Sequence, residues 1–429
     1  MITDFCTMKN QVKLNTKKMK KILAITIFMV LSVYGYSQTQ TIDSLKEAID
    51  KHEGRITALD DRVLVNEADL GKLNKIKVSG YVQAQWEYYG KDLVKLNEPN
   101  NTFYIRRARI KFTYEPADGV KFVLQPDFST GNLALKDAYA VVNLPKLKNV
   151  TLWAGQFNRP NYEVEYSSGQ REVLERSRVI RAIYPGEREV GVKLEYVGIK
   201  IPLKLQLMAM NGNFTGAQQK DYDSKKDLMG RLVYSIKLPG AGIGIDLGPD
   251  FYYGGTRIKY NTFVSGANGV LDSTTYKAGN YLDKKWIGGE IQIFADILGG
   301  LAVKGEYVAG VNSASSATNQ DSKAKIADMR KDPTRLRNFS GYYLYLIKNI
   351  GPKNQLVAKY DYYDPNTKLS GDAAKSDIYY KTWTLSWQHY LNDNIRISLN
   401  YEMPKNETNS TTPTNLKDNT LGIRIQAKF

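Results

Sequence analysis

Residues 104–114, with the sequence YIRRARIKFTY, alternate between two kinds of side chain. One face carries Ile105, Arg107, Arg109, Lys111 and Thr113, and the other carries Tyr104, Arg106, Ala108, Ile110, Phe112 and Tyr114. The first face is mainly basic, whereas the second is apolar except for Arg106. Because successive side chains of a β-strand point to opposite sides, this stretch predicts a strand with cations on one side and an apolar environment on the other.

The same period of two recurs across residues 75–429 in segments of about ten residues, the length of a tilted membrane-spanning strand. Such segments cover residues 76–89, 102–114, 119–128, 135–144, 149–158, 188–197, 202–212, 228–238, 242–253, 286–297, 300–310, 339–349, 354–363, 378–390, 394–403 and 419–429. Tight turns such as residues 115–118 and 239–241 alternate with long polar loops such as 159–187 and 254–285. The pattern predicts an all-β fold, a sixteen-stranded antiparallel transmembrane β-barrel.

Two further features agree with a barrel. The chain has 30 Tyr and 13 Phe, and Tyr-Tyr pairs such as Tyr88-Tyr89 and Tyr342-Tyr343 fall at the strand ends next to long loops. Tyrosine suits the interface between membrane and water. The last predicted strand ends at Phe429, as expected for a strand that closes a barrel.

The N-terminal region resembles a secretory leader. An apolar run over residues 22–33 follows Lys17, Lys18, Lys20 and Lys21 and leads to small residues before Gln38, as in a signal peptide. Residues 1–37 are therefore predicted to be an upstream extension and a signal peptide that starts at Met19. They carry six Lys and one Asp, so their removal lowers the net charge from +16 to +11. The alternative is a short buried core helix.

Residues 38–74 carry a heptad pattern. One seven-residue series is Ile42, Ile49, Ile56, Val63 and Leu70, and the other, three residues later, is Leu45, His52, Leu59, Asn66 and Leu73. Such spacing predicts a periplasmic coiled-coil helix. The polar His52 and Asn66 leave the number of helices open, and Gly54 and Gly71 lower the helix propensity. The alternative is an amphipathic helix packed on its own domain.

Several kinds of chemistry lack their residues. The only cysteine is Cys6, upstream of the predicted signal peptide, and the two histidines, His52 and His389, are far apart in sequence. We therefore predict no disulfide, no metal site, no cofactor and no catalytic residues. A barrel lipase or protease would need a histidine with a nucleophile at the rim, and His389 has no evident partner. The net positive charge could suggest nucleic acid, but cations on alternate positions of a secreted barrel argue against such a partner.

Several segments together resemble the phosphate-selective porin O and P family. They are residues 103–109 (FYIRRAR), 135–139 (LKDAY), 155–160 (GQFNRP), 163–177 (EVEYSSGQREVLERS), 186–191 (GEREVG), 305–307 (GEY), 341–343 (GYY) and 360–366 (YDYYDPN). The resemblance covers nearly all of residues 76–429, and the composition is closest to members from Bacteroidota-like bacteria. It implies a trimer in the bacterial outer membrane that passes phosphate or other anions along basic side chains. It also implies that the third external loop, residues 159–187, folds inward and narrows the pore.

The predicted function is that of an outer-membrane porin, a water-filled channel for small solutes, selective for anions such as phosphate. Strand parity points to Arg107, Arg109, Lys111, Lys121, Lys193 and Lys204 as pore-lining residues, and the constriction loop contributes Arg159, Arg171, Arg176 and Arg178. Cations that line a pore favour anions, although each arginine could instead pair with an acid such as Glu172 or Glu175. The expected partners are small anions, outer-membrane lipid and further copies in a homotrimer. The alternative is a structural barrel that acts as an adhesin or as part of a secretion apparatus.

Overall fold

The computed structural model describes residues 16–73, 75–94, 98–129, 131, 133–160, 167–212, 221, 224–257, 264–265, 271–272, 279–297, 299–314, 335–374 and 377–429. These residues belong to two compact units, Met1–Asn74 and Lys75–Phe429. Most of the predicted upstream extension, with Cys6, lies outside the described residues, as do residues 161–166 of the predicted third loop.

The first unit contains one helix, α1 (Thr16–Leu73), which confirms the helix predicted before the barrel. It passes through Gly54 without interruption. Every side chain from residue 45 to residue 67 is exposed in the single chain. The pairing of this helix into a coiled coil and the cleavage of a signal peptide stay predictions. Among the described residues, no helix combines the length and the apolar character needed to cross a membrane.

Sixteen strands of the second unit pair edge to edge in a closed barrel, in which every pair is antiparallel. The strands are β1 (Ile76–Tyr89), β2 (Asn101–Ala117), β3 (Val120–Asp127), β4 (Ala134–Asn143), β5 (Val150–Asn158), β6 (Arg188–Val197), β7 (Leu203–Met210), β8 (Asp227–Leu238), β9 (Ile243–Arg257), β12 (Tyr281–Ala295), β13 (Leu301–Ala314), β14 (Arg335–Ile350), β15 (Asn354–Asp364), β16 (Tyr380–Tyr390), β17 (Ile395–Asn406) and β18 (Thr420–Lys428), and a separate hairpin is formed by β10 (Val264–Ser265) and β11 (Leu271–Asp272). A short helix, α2 (Arg178–Ile183), lies between β5 and β6, and 3-10 helices cover Lys91–Leu93, Pro239–Ala241 and Gly371–Ala373. The predicted sixteen-stranded antiparallel barrel is confirmed.

The alternation of side chains explains why these segments form a barrel, and β16 shows it clearly. Thr382 and Thr384 point inward and are 0% and 1% exposed, whereas Trp383 and Leu385 point outward and are 53% and 50% exposed. A hydrocarbon environment suits the outward side chains, and on the inner side Thr382 accepts a hydrogen bond from Arg178 at 3.3 Å. One strand therefore presents polar side chains to the lumen and apolar side chains to the outside of the barrel.

A β-bulge in β2 changes part of the predicted alternation. Gln83 pairs with Arg107, but the next residue of β1, Ala84, pairs with Ile105, so Arg106 is an extra residue in β2. Ile105 consequently points outward, and Tyr104 and Arg106 point into the lumen, where they contact Glu87 and Glu175. The prediction that Ile105 faces the lumen and that Tyr104 and Arg106 face outward was wrong, because one extra residue inverts the parity of all residues before it.

The first and last strands close the barrel. β1 pairs with β18, and Gly80 and Phe429 exchange two backbone hydrogen bonds of 3.0 Å. Inside the barrel the amide of Gln83 donates to Gln426 at 2.7 Å. We call this junction the closing seam. Among the sixteen described barrel strands every strand therefore has a neighbour on both sides, as a hydrocarbon environment requires.

Candidate functional site

The segment of residues 167–187 crosses the interior of the barrel, and it is anchored first at the closing seam. Ser168 Oγ lies 2.6 Å from Tyr81 Oη, and its carbonyl accepts a hydrogen bond from Gln83 at 3.0 Å. The carbonyl of Gly169 accepts hydrogen bonds from Gln426 at 2.9 Å and from Arg396 at 3.4 Å. The segment therefore bonds to β1 and β18 at once. We call residues 167–187 the internal loop.

Polar contacts then hold the internal loop across the barrel. Lys304 of β13 donates to Glu172 at 2.6 Å, and Gln388 of β16 donates to the carbonyl of the same residue at 2.6 Å. Lys359 of β15 lies 3.4 Å from the carbonyl of Glu175. In the strand order, β16, β15 and β13 lie two, three and five strands beyond β18, so the loop extends from the closing seam along the inner wall as far as β13.

Apolar packing fixes the second half of the internal loop. Val179, Ile180 and Ile183 of α2 are at most 2% exposed and belong to one buried cluster with wall residues such as Tyr343 and Phe339. The closest approach is at Gly341, where a Cβ atom would lie 2.5 Å from Val179 Cβ. Only glycine leaves room for α2 there. The helix is therefore seated on the inner wall of the barrel by side-chain fit.

Arginines meet where β2, β18 and the internal loop converge. Arg106 donates to both oxygens of Glu175 at 3.0 Å, and Arg424 reaches the same carboxylate at 3.3 Å. Arg109 donates to Asp127 at 2.7 Å. The remaining members, Arg107 and Arg171, are each 3% exposed. We call Arg106, Arg107, Arg109, Arg171 and Arg424 the arginine cluster.

The arginine cluster has more positive than negative charge. Arg106 and Arg424 share the carboxylate of Glu175, and Arg109 pairs with Asp127, so these three guanidinium groups meet two acids. Burial alone would raise the pKa of Glu175, but the charges of Arg106, Arg107 and Arg424 outweigh that effect and hold the pKa well below its usual range. Glu175 is therefore ionised at neutral pH, and the cluster still keeps an excess of cations.

Arg107 differs from the other members in its partners. Its Nη1 donates to Gln83 at 2.8 Å, and within the described part of the chain it has no carboxylate at ion-pairing distance and its buried Nε has no hydrogen-bond partner. Its electrostatic neighbours are the cations Arg106, Arg171 and Arg109 and one anion, Glu175. A buried guanidinium beside other cations is costly unless an anion is near. This arrangement fits an anion that enters from the lumen.

The other predicted pore-lining lysines lie on inward-facing positions but outside the cluster. Lys111 is partly buried on the inner face of β2, and Lys121 pairs with Glu115 at 3.3 Å. Lys193 pairs with Glu195 at 3.1 Å and lies 3.7 Å from the ring centre of Trp153. Lys204 follows the same inward parity as Gln206 in β7. These lysines contribute to the charge of the wall, and two of them have acidic partners.

The predicted loop arginines have separate positions. Arg159 donates to the carbonyl of Pro185 at 3.1 Å and lies over the ring of Tyr184, and Arg176 pairs with Glu187. Arg178 lies 3.7 Å from Asp418 and 4.0 Å from the ring centre of Tyr380. These three hold the internal loop in place, and only Arg171 joins the arginine cluster.

Two members of the cluster were missing from the sequence prediction. Arg106 was assigned to the outward face, since a bulge is invisible to a strict period of two. Arg424 alternates with Leu421, Ile423 and Ile425 in the closing strand, so its inward direction could have been read from parity. The proximity of Arg424 to Arg106 could not be predicted, because it depends on closure of the barrel.

Cavities lie on both sides of the internal loop. The cavity on the side of the long loops, which we call the outer cavity, has a volume of about 380 Å³ and is lined by Tyr89, Arg106, Glu175 and Asp418. The cavity on the side of the tight turns, which we call the inner cavity, has a volume of about 620 Å³ and is lined by Glu172, Lys304, Gly242 and Gly300. Arg106 and Glu175 thus connect the outer cavity to the arginine cluster. In the described residues, no group of three or more His, Cys, Asp or Glu side chains is placed to hold a metal ion.

The outer cavity is expected to respond to pH through Asp418. Burial raises the pKa of this carboxyl to about 6, and the charge of Arg178 only partly offsets the rise. As the pH falls through 6, Asp418 gains a proton and the cavity loses one negative charge. If the barrel conducts ions, the anion-to-cation permeability ratio should therefore rise roughly twofold between pH 7.5 and pH 5. Reversal potentials measured in a salt gradient at both pH values test this.

Asp418→Asn is the matched control for the pH response. It should show the high ratio at both pH values, because its amide carries no charge. An equally steep pH dependence in Asp418→Asn would assign the response to other groups, such as Glu402.

Comparison with known proteins adds the following. A profile of the family described as phosphate-selective porin O and P matches residues 76–325 and 348–429. Among solved structures, the anion-selective porin from Comamonas acidovorans is 11% identical with a TM-score of 0.52, covering 82% of this chain and 99% of its own. OprB of Pseudomonas putida, in its high-pH structure, is 11% identical with a TM-score of 0.55, covering 84% and 96%. The outer membrane channel DcaP of Acinetobacter baumannii is 12% identical with a TM-score of 0.51, covering 82% and 97%. At this identity the likeness concerns the fold. No curated protein sequence matches the chain.

Proposed function

Because the chain belongs to the phosphate-selective porin O and P family, and is accordingly an outer-membrane porin, we propose that it passes small anions such as phosphate. A porin of this architecture is a channel in the bacterial outer membrane for the passive movement of small solutes. The selectivity for anions is the proposed part. It rests on the arginine cluster and above all on Arg107.

Arg107 supports the proposal because its surroundings favour an anion. It is buried, three arginines and one carboxylate, that of Glu175, act on its charge, and one nitrogen of its guanidinium has no partner among the described residues. A phosphate oxygen can accept hydrogen bonds from a guanidinium fork and can be held by two nitrogens at once. The same site repels a cation. An anion bound there would complete the hydrogen bonding of Arg107 and offset the charge of its neighbours.

The acidic residue in the cluster keeps such binding weak enough for transport. Glu175 already accepts hydrogen bonds from Arg106 and Arg424, so an incoming anion competes with a resident carboxylate. Conduction requires binding strong enough for entry and weak enough for release. We propose that an anion moves from the outer cavity past Arg106 and Arg107 and leaves through the inner cavity.

The outward surface and the resemblance to the family suggest the remaining partners. Apolar side chains such as Trp383 and Leu385 on the outer face suit contact with outer-membrane lipid. A homotrimer is proposed from the family resemblance. The ten predicted pore-lining and loop residues also remain proposals as contributors to selectivity, and three of them, Arg107, Arg109 and Arg171, belong to the arginine cluster.

Planar bilayers test the proposed function directly. We expect the purified protein to conduct and to show a reversal potential of the sign for anion preference in a tenfold potassium chloride gradient. Added phosphate should reduce the chloride current, since both anions would use the arginine cluster. Conduction with a cation-selective reversal potential would contradict the anion proposal. A folded barrel without conductance would favour a structural role.

A further inference from the structure

We propose that the heptad seam of α1 binds the same seam of a second copy of this chain, in parallel and in register, as a homo-oligomeric coiled coil. The seam consists of Ile42, Leu45, Ile49, His52, Ile56, Leu59, Val63, Asn66, Leu70 and Leu73. This inference concerns assembly and does not depend on the anions that the barrel passes. Its evidence is the exposure of the seam and the order of the charges beside it.

The seam is exposed along its described length. Leu45, Ile49, Ile56, Leu59 and Val63 are 54%, 51%, 56%, 57% and 50% exposed. Removal of each such side chain from water stabilises an assembly. Contiguous apolar surface of this kind marks an interaction site. The heptad spacing specifies another helix as the partner.

The charges beside the seam identify that helix as a second copy. Arg55 and Arg62 occupy the last position of their heptads, and Asp60 and Glu67 occupy the fifth position of the next ones. In a parallel coiled coil, the last position of one heptad faces the fifth position of the next heptad on the partner helix. Arg55 therefore faces Asp60 of the second copy, and Arg62 faces Glu67. Both contacts are attractive and occur twice in each pair of helices.

The same residues disfavour the antiparallel arrangement. When two copies overlap fully in opposite directions, Arg55 would face Arg62 and Glu53 would face Asp60, against a single attractive contact of Lys46 with Glu67. Like charges at these positions are destabilising. The sequence therefore favours helices that point the same way.

The polar residues of the seam fix the register. In register, His52 meets His52 of the second copy, and Asn66 meets Asn66, so polar groups share layers and can bond to each other. A shift by one heptad would place His52 and Asn66 against leucines, where a buried polar group lacks a partner. A single polar layer can specify register in this way.

A cysteine in the seam tests the geometry in the full chain. The only natural cysteine is Cys6, so Cys6→Ser provides the background. Ile56→Cys should place equivalent thiols together, and oxidation in the outer membrane should join most chains into covalent dimers on non-reducing gels. Asp61→Cys, on the opposite side of the helix, should remain largely monomeric. Equal cross-linking of the two variants would overturn the proposal.

Charge exchange tests the partner and the direction. Arg55→Glu with Arg62→Glu should lower the rate of cross-linking through Ile56→Cys on the order of tenfold, because attractive contacts become repulsive. Adding Asp60→Arg and Glu67→Arg to the same chain should restore the original rate. A cross-linking rate equal to that of Ile56→Cys alone after the first exchange would contradict the parallel arrangement. So would a rate that the second exchange fails to restore. Channel conductance should be the same in all of these variants.

Discussion

Replacing Arg107 by glutamine is expected to lower the anion-to-cation permeability ratio on the order of tenfold. Two charges about 5–6 Å apart interact by roughly 3 kcal/mol at an effective dielectric constant of 20, which corresponds to about a hundredfold, and screening by salt in the water-filled lumen reduces the change to the order of tenfold. The fold should persist, because the shorter amide can still donate to Gln83 and the change removes repulsion from Arg106. Reversal potentials in a salt gradient measure the ratio, and the block by phosphate should weaken with it.

Two matched variants separate selectivity from stability. Lys121→Gln removes an exposed lysine that pairs with Glu115 and should leave the ratio nearly unchanged. Arg109→Gln leaves Asp127 buried without its ion partner, so its main effect should be a loss of stability of about 3–5 kcal/mol. If folded Arg107→Gln retains the native ratio while a folded variant of Arg171 does not, the site of selectivity lies in the internal loop.

Replacing Val179, Ile180 and Ile183 by serine is expected to increase the single-channel conductance roughly twofold or more, since a wider pore conducts better. Each of these side chains is almost fully buried against the inner wall, and loss of such contacts costs about 2–5 kcal/mol per site. The helix α2 should then leave the wall. The barrel itself should stay closed, because its strands are joined by backbone hydrogen bonds. Single-channel recordings give the conductance.

Gly341→Val tests the same contact between α2 and the barrel by changing the residue of the wall. Its side chain would collide with Val179 and should raise the conductance in the same direction without a change in the loop. Leu369→Ser is the control, because Leu369 belongs to a separate apolar cluster with Ala374 and Ile378. An unchanged conductance in both test variants would show that α2 does not limit the passage.

Much of the barrel is readable from local sequence. The predicted strands at residues 76–89 and 188–197 coincide with β1 and β6, because the alternation there is regular and turns bound it. Strand ends near the long loops are less regular, and β9, β13 and β14 extend beyond their predicted ends. Hydrogen bonding to a neighbouring strand continues there without any sequence period.

The contacts of the candidate site depend on residues distant in sequence. Leu174 N donates to Asn400, 226 residues away, and Arg424 donates to the carbonyl of the same leucine. Parity indicates that a side chain points inward but not what it meets there. The basic character of Arg107 and Arg109 was visible in the sequence, whereas the ion pair of Arg106 with Glu175 required both the bulge and the position of the internal loop.

The closing seam also orders the events of folding. The contacts of Gly80 with Phe429 and of Gln83 with Gln426 join the first and last strands of the barrel, so they have very high contact order and are expected to form late. Ser168 and Gly169 bond to both sides of this junction, and their complete set of partners exists only after the last strand has docked. The internal loop should therefore settle at the end of assembly, so that an unfinished barrel lacks its permeability barrier until its C-terminal residue is in place.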